Sequence, residues 1–235
     1  MNLDVKTPNE RIRNIIEAIH PYTIITDHKY SSILENIDIP IILIDSIIDE
    51  DLLVDENILN NSISTLIDTD PICIINTSGS TGTPKGVILN HRSFIDFILR
   101  SNEIFHFDGA EIMGCLSPMV FDIFDFELCM MMAYGSKMVL LDAMLASFPV
   151  RLLETITKFQ VNFLFWVPSI MVNIANMLLL DNFPLPDLKL VWFVGEVFPT
   201  KQFLYWYDKL TDTVFVNLYG PIEITLDCTY YIINY

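Results

Sequence analysis

Ile12, Ile15, Ile16 and Ile19 follow Pro8-Asn9 at the spacing of one helix face, and Tyr22 to Thr26 then reads as a strand. Short apolar runs predict further strands at Ile39–Ile44, Ile72–Asn76, Gly86–Leu89, Ile112–Leu116, Lys137–Leu141, Val161–Trp166, Leu188–Phe193 and Thr213–Asn217. Helical spacing predicts helices near His91–Ser101, Ile123–Ala133, Pro149–Phe159, Ser169–Leu180 and Thr200–Lys209. This alternation predicts an α/β fold of layered, mostly parallel sheets flanked by helices. Asp45–Asn61 is acidic and reads as either a solvated helix or a loop. Its Asp49, Glu50, Asp51, Asp55 and Glu56 suit a surface face better than a metal site, since no turn glycine organises them. Val161–Leu180 carries no charge and is long enough to span a bilayer, but Asn162, Pro168, Ser169, Asn173 and Asn176 interrupt it. It is expected to be a buried strand leading into a helix.

Composition narrows the function classes. The 235 residues, 52% of them apolar, suffice for one large α/β domain or two small ones. A net charge of −17 argues against nucleic acid and anionic membrane surfaces as partners. Cys73, Cys115, Cys129 and Cys228 are scattered without a C-x-x-C pair, so neither zinc nor a disulfide framework is indicated. Met1–Arg13 lacks the unbroken apolar stretch of a secretory signal, and a cytoplasmic location is expected.

Thr77-Ser78-Gly79-Ser80-Thr81-Gly82-Thr83-Pro84-Lys85-Gly86 directly follows the apolar run Ile72-Cys73-Ile74-Ile75. Its glycines allow sharp turns that present N–H groups to an anion, its hydroxyls add donors, and Lys85 adds charge. That is phosphate chemistry. Pro84 and Gly86 exclude the G-x-x-x-x-G-K-[ST] spacing of the P-loop enzymes. A flexible Ser/Thr/Gly linker would not be followed at once by Val87-Ile88-Leu89 and His91.

The run from Thr77 to Val87, with His91 beyond it, resembles the phosphate-binding loop of the AMP-forming adenylating enzymes. In that family the loop closes over the β- and γ-phosphates of ATP while a carboxylate attacks the α-phosphate. Asn217-Leu218-Tyr219-Gly220-Pro221-Ile222-Glu223 resembles the family's N-x-Y-G-P-T-E element, and Gly195-Glu196 its turn beside the adenine. The resemblance implies that Tyr219 stacks on adenine, that Glu223 holds Mg2+, and that Lys85 and Glu223 are the catalytic residues. It implies ATP contacts from Thr77, Ser78, Gly79, Ser80, Thr81, Gly82, Lys85, Gly195, Glu196, Asn217, Tyr219 and Gly220. Ile222 stands where the family has a threonine near the α-phosphate; loss of one such donor costs about 3 kcal/mol of transition-state stabilisation.

Phe121-Asp122-Ile123-Phe124 resembles the F-D-x-S segment of the amino-acid-activating branch, where the aspartate pairs with the substrate's α-ammonium group. Asp122 is equally suited to cap a helix starting at Ile123. Beside Asp122, the same resemblance implies a side-chain wall of Ile123, Phe126, Phe165, Trp192, Val194, Leu218, Leu226 and Asp227. Each of these also suits an ordinary core, Phe165 and Leu218 most of all. The wall implies a small or apolar amino acid, with Asp227 its unexplained member.

The expected reaction is conversion of an amino acid and ATP to aminoacyl-AMP and pyrophosphate, with transfer to the phosphopantetheine thiol of a carrier protein or carrier domain. The resemblance spans residues 1–235 and covers part of the family's large N-terminal domain. The first subdomain is expected to be largely absent, as are the ribose-binding aspartate, the hinge and the small C-terminal domain with its lysine. The remainder of the enzyme is therefore an expected partner. The alternatives are a catalytically inactive nucleotide-binding or interaction fragment, and a fragment of an acyl-CoA or aryl-acid ligase.

Overall fold

The computed structural model of the chain describes residues 1–48, 55–77 and 85–234. Ile12, Ile15 and Ile16 form the buried stripe of α1 (Asn9–Ile19), which His20 ends in the left-handed conformation. Ile12 and Ile16 pack with Leu34 into a small cluster that also takes in Ile24. Ile24 begins β1 (Ile24–Thr26), which pairs in parallel with β2 (Ile41–Leu43). The acidic stretch is helical where it is described, as α2 (Ile44–Ile48) and α3 (Glu56–Thr65). The Asp55 side chain caps α3 by accepting the N–H groups of Asn57 and Ile58 at 2.9 and 3.3 Å.

Either side of the phosphate motif, β3 (Pro71–Thr77) and β4 (Lys85–Asn90) pair antiparallel, with Thr77 opposite Lys85. This hairpin forms a sheet of its own and departs from the parallel pairing that dominates elsewhere. Asn90 then caps α4 (His91–Phe105) by accepting the Ser93 N–H at 2.9 Å.

The remaining elements are β5 (Ile112–Cys115), α5 (Asp122–Tyr134), β6 (Lys137–Leu140), α6 (Pro149–Lys158), β7 (Phe163–Trp166), α7 (Pro168–Asn176), β8 (Leu190–Phe193), α8 (Thr200–Lys209), β9 (Val214–Tyr219) and β10 (Thr229–Ile232). Their six strands form one sheet in the order β10-β9-β8-β7-β5-β6, parallel throughout except for β10. Strand side chains alternate between faces, and here both faces are covered. Leu164, Trp166, Val191, Phe193 and Phe215 face a core shared with α6, α7 and α8. Phe163, Phe165, Trp192, Val216 and Leu218 face a second core shared with α4 and α5. Continuous apolar runs such as Phe163-Leu164-Phe165-Trp166 follow directly from this double burial.

The two cores differ in how they hold their indoles. Trp166 donates its Nε1–H to the Gly114 carbonyl at 2.8 Å, and Trp206 donates to Met171 at 2.9 Å. Trp192, on the other face, has ring centroids of Phe105, Phe107, Phe126, Phe163 and Phe165 within 4.9–5.9 Å, and its Nε1–H has no partner among the described residues. The uncharged stretch from Val161 becomes β7 and α7 as expected, and no described helix is long and apolar enough to cross a membrane.

Candidate active site

Parallel strands direct their carboxyl ends to one edge of the sheet, where the connecting loops leave a crevice. Beyond the ends of β5, β7, β8 and β9 lies a cleft of 720 Å3. Thr77, Asp122, Ile123, Phe165, Val194, Gly195, Glu196, Gly220, Ile222, Leu226 and Asp227 all line it. Residues from five separate stretches of sequence thus meet there. Phe126 and Trp192 lie below it, fully buried and stacked at 5.5 Å between centroids, and Leu218 is likewise core. They shape the cleft from beneath.

Asp122 is the first residue of α5, but the helix has no side-chain cap at its start. Its Oδ2 instead accepts the backbone N–H of Leu226 at 3.0 Å, across 104 residues of sequence. Burial raises the Asp122 carboxyl above its usual range, while the Leu226 N–H acts in the opposite direction. Burial, with the Asp122 charge nearby, pushes Asp227 to about 7. The loop carrying Asp227 is strained: Thr225 and Leu226 both take left-handed conformations, φ 66° and 60°, which cost non-glycine residues about 1 kcal/mol or more each. Gly220 packs so closely on this loop that a Cβ there would meet the Leu226 carbonyl oxygen at 2.3 Å.

A neighbouring cleft of 630 Å3 shares Val194, Gly195, Glu196 and Gly220, and adds Asn217 and Tyr219. Tyr219 is 69% exposed, leaving its ring open to a planar ligand. Gly195 turns with φ 85°, and the Glu196 carboxylate accepts the Ser169 N–H at 2.9 Å in the first turn of α7. Glu196 therefore ties its loop to the start of α7. Glu223 lies exposed on the 3-10 turn Ile222–Ile224, which packs against β4 and so approaches the strand that Lys85 begins. Lys85 and Glu223 are outside both clefts, Lys85 opposite Thr77 at the loop end of the hairpin. Ser78, Gly79, Ser80, Thr81 and Gly82 lie outside the described residues, while Thr77 reaches the cleft from the end of β3.

Three features here have no sequence signal that identified them: the strained pair Thr225–Leu226, the Asp122–Leu226 bond, and a wholly buried Glu127 on α5. The Glu127 carboxyl is pushed up to about 8 by burial, with the Cys115 thiol beside it opposing the shift. Among the described residues no cluster of three or more ligating side chains could hold a metal ion. An ion that binds through one or two carboxylates together with phosphate oxygens, as Mg2+ does, needs no such cluster.

Zwittermicin A synthase ZmaJ of Bacillus cereus is 30% identical over 169 residues, covering 69% of this chain and 32% of that protein. The D-alanine--D-alanyl carrier protein ligase of Staphylococcus haemolyticus is 27% identical over 231 residues, 97% of this chain and 45% of the relative. The solved Vibrio cholerae adenylation domain AlmE, in complex with glycyl-adenosine-5'-phosphate, matches the fold with a TM-score of 0.79 at 22% identity, over 98% of this chain and 47% of its own. The chain spans less than half the length of each. A family model described as AMP-binding enzyme matches residues 1–234, so the motifs and the fold around them carry one conclusion: the chain belongs to the AMP-binding enzyme family.

Proposed function

We propose that the chain is part of the large domain of an enzyme that activates an amino acid as its adenylate, working with the remainder of that enzyme and passing the acyl group to the phosphopantetheine thiol of a carrier protein. The observation that carries this reading is the partly buried Asp122 carboxylate in the same cleft as Thr77, Gly195, Glu196 and Gly220. A partly desolvated anion in a largely apolar cleft suits an ammonium group, which fatty and aryl acids lack. The D-alanyl carrier protein ligase among the relatives supports the same choice.

In this reading the substrate ammonium rests on Asp122, with its carboxylate towards Thr77 and the hairpin. Asn217 and Tyr219 hold adenine over the neighbouring cleft, while Glu223 supplies a hard oxygen to Mg2+ and Lys85 a positive charge to the phosphates. ATP, when bound, supplies the electrophilic α-phosphorus and the pyrophosphate leaving group. Ile222 places an apolar side chain in the cleft. Ile222→Thr is accordingly expected to speed adenylate formation about tenfold, part of what one donor aimed at developing charge is worth. An unchanged rate would remove the hydroxyl argument.

Amino-acid-dependent exchange of labelled pyrophosphate into ATP tests the reading, with the protein alone and joined to the lysine-bearing domain of a relative. Asp122→Asn keeps an acceptor for the Leu226 N–H but loses the charge, and is expected to lower kcat/KM for the amino acid about 10- to 100-fold while sparing KM for ATP. Exchange with no amino acid in either form, or an indifferent Asp122→Asn, would count against it.

A further inference from the structure

Between Tyr30 and Pro84 the sequence contains ten carboxylates and neither lysine nor arginine, although the whole chain carries 13 of those bases. The same stretch is rich in isoleucine and leucine, and the fold leaves much of that apolar surface bare. Helix α3 has no buried residue, and no other described element packs along it. Leu59, Ile63 and Leu66 fall on one side of it at i, i+4 and i+7 and are 47–56% exposed. Asp55 and Glu56 stand at its start. Ile25 and Ile42 are opposite one another on β1 and β2, and both are exposed on the side of that sheet away from Ile24 and its small cluster. Parallel strands are ordinarily covered on both faces. None of these residues lines either cleft.

The extent of bare surface points to a large occupant. The chain exposes 14427 Å2, whereas a folded monomer of 27.0 kDa exposes about 10,800 Å2. The excess of roughly 3,600 Å2 is well beyond the ~800 Å2 that each side of a standard interface buries, so it suits another folded protein better than a short peptide. Charge decides which protein. A second copy would bring one base-free acidic stretch against another, and like charges repel across an interface. We propose that the surface from β1 to α3, with Leu59, Ile63 and Leu66 as its main contact, docks another folded protein through an apolar face rimmed by lysine and arginine. Apolar contact supplies the affinity, and the acidic flanks select the partner and speed the encounter. The proposal is independent of the amino-acid reading.

A synthetic amphipathic helix of leucine and lysine presents that chemistry in its simplest form, with a leucine–glutamate helix as its control. In anisotropy titrations the lysine helix is expected to bind the full chain about tenfold or more tightly than the glutamate helix, and less tightly as salt rises. Leu59→Gln, Ile63→Gln and Leu66→Gln together disturb no buried residue and no charge. Circular dichroism of that variant is expected to be unchanged while its affinity for the lysine helix falls about tenfold or more. Hydrogen exchange of the unmodified protein gives a second reading: the lysine helix is expected to slow exchange in residues 56–66. Equal binding of the two helices, an affinity unmoved by the glutamine substitutions, or protection confined to other segments would overturn the proposal. A dimer of the chain that the same substitutions dissolve would overturn it in favour of a second copy.

Discussion

Gly220→Ala is expected to abolish measurable adenylate binding while leaving most of the helix and sheet signal intact. The added Cβ would lie 2.3 Å from the Leu226 carbonyl oxygen and 2.5 Å from Asp227 Cα. Both are backbone atoms, so no rotamer change relieves the contact, and either β9 or the Thr225–Asp227 loop must move. Movement of the loop breaks the Asp122–Leu226 hydrogen bond and displaces Asp227. Movement of β9 displaces Tyr219 and the turn to Glu223. In the proposed reading these groups contact the adenylate; misplacing such groups by about 1 Å costs on the order of 100-fold, and this substitution reaches both clefts. A stability loss of about 1–3 kcal/mol is expected in addition, from overpacking. Binding of an acyl-sulfamate analogue, measured beside far-ultraviolet circular dichroism and a thermal melt, checks both parts. Near-normal affinity in a folded Gly220→Ala protein would show that the close approach has no functional part.

The second large effect concerns pH. Glu127 is 1% exposed, its Oε2 has no partner among the described residues, and burial raises its carboxyl from 4.5 to about 8. A raised acid holds its proton more tightly in the native state than in the unfolded one. Its contribution to stability is therefore fullest below pH 4.5, shrinks as pH rises, and is gone above about 8. The loss amounts to something of the order of 4 kcal/mol, or about 8 °C or more in midpoint for a chain of this size. Glu127→Gln cannot titrate. Its melting temperature is expected to stay near that of the unmodified protein at pH 5 and to rise above it progressively to pH 8.5. The comparison isolates Glu127 from Asp227, whose native value of about 7 gives a slope of the same sign in both proteins. Parallel curves for the two proteins would refute the assignment.

How much of this was legible beforehand follows from the kind of signal each feature leaves. The main sheet was readable because burial on both faces makes strands such as β7 apolar at every position. Helices α6 and α8 were readable from their periodic apolar stripes. The antiparallel pairing of β3 with β4 was legible too, since Ser78 to Pro84 is too short for the crossover a parallel pair needs, but its separation from the main sheet was not, because that depends on long-range packing. Strand β10 was missed because Thr229–Ile232 is mostly exposed at a sheet edge and shows no apolar run. The site's linear motifs could be read, since Asn217 to Glu223 lie on one continuous stretch. The depth of Phe126 and Trp192 could not, nor the bond from Asp122 to Leu226, since both depend on packing between distant segments. The strain at Thr225 and Leu226 was hidden because neither residue type advertises a left-handed backbone.

The unequal treatment of the indoles gives the protein an optical signature. Trp166 and Trp206 are tied to main-chain carbonyls in the helix-packed core, whereas Trp192 sits among phenylalanine rings with its N–H free of any described partner. An indole held in so apolar a setting emits at short wavelength, and its quantum yield responds when a charge or dipole is brought near. Trp166 lines the cleft and Trp192 stands beside Phe126 and Phe165 under it, so ligand entry alters the field at two emitters and leaves Trp206 as an internal reference.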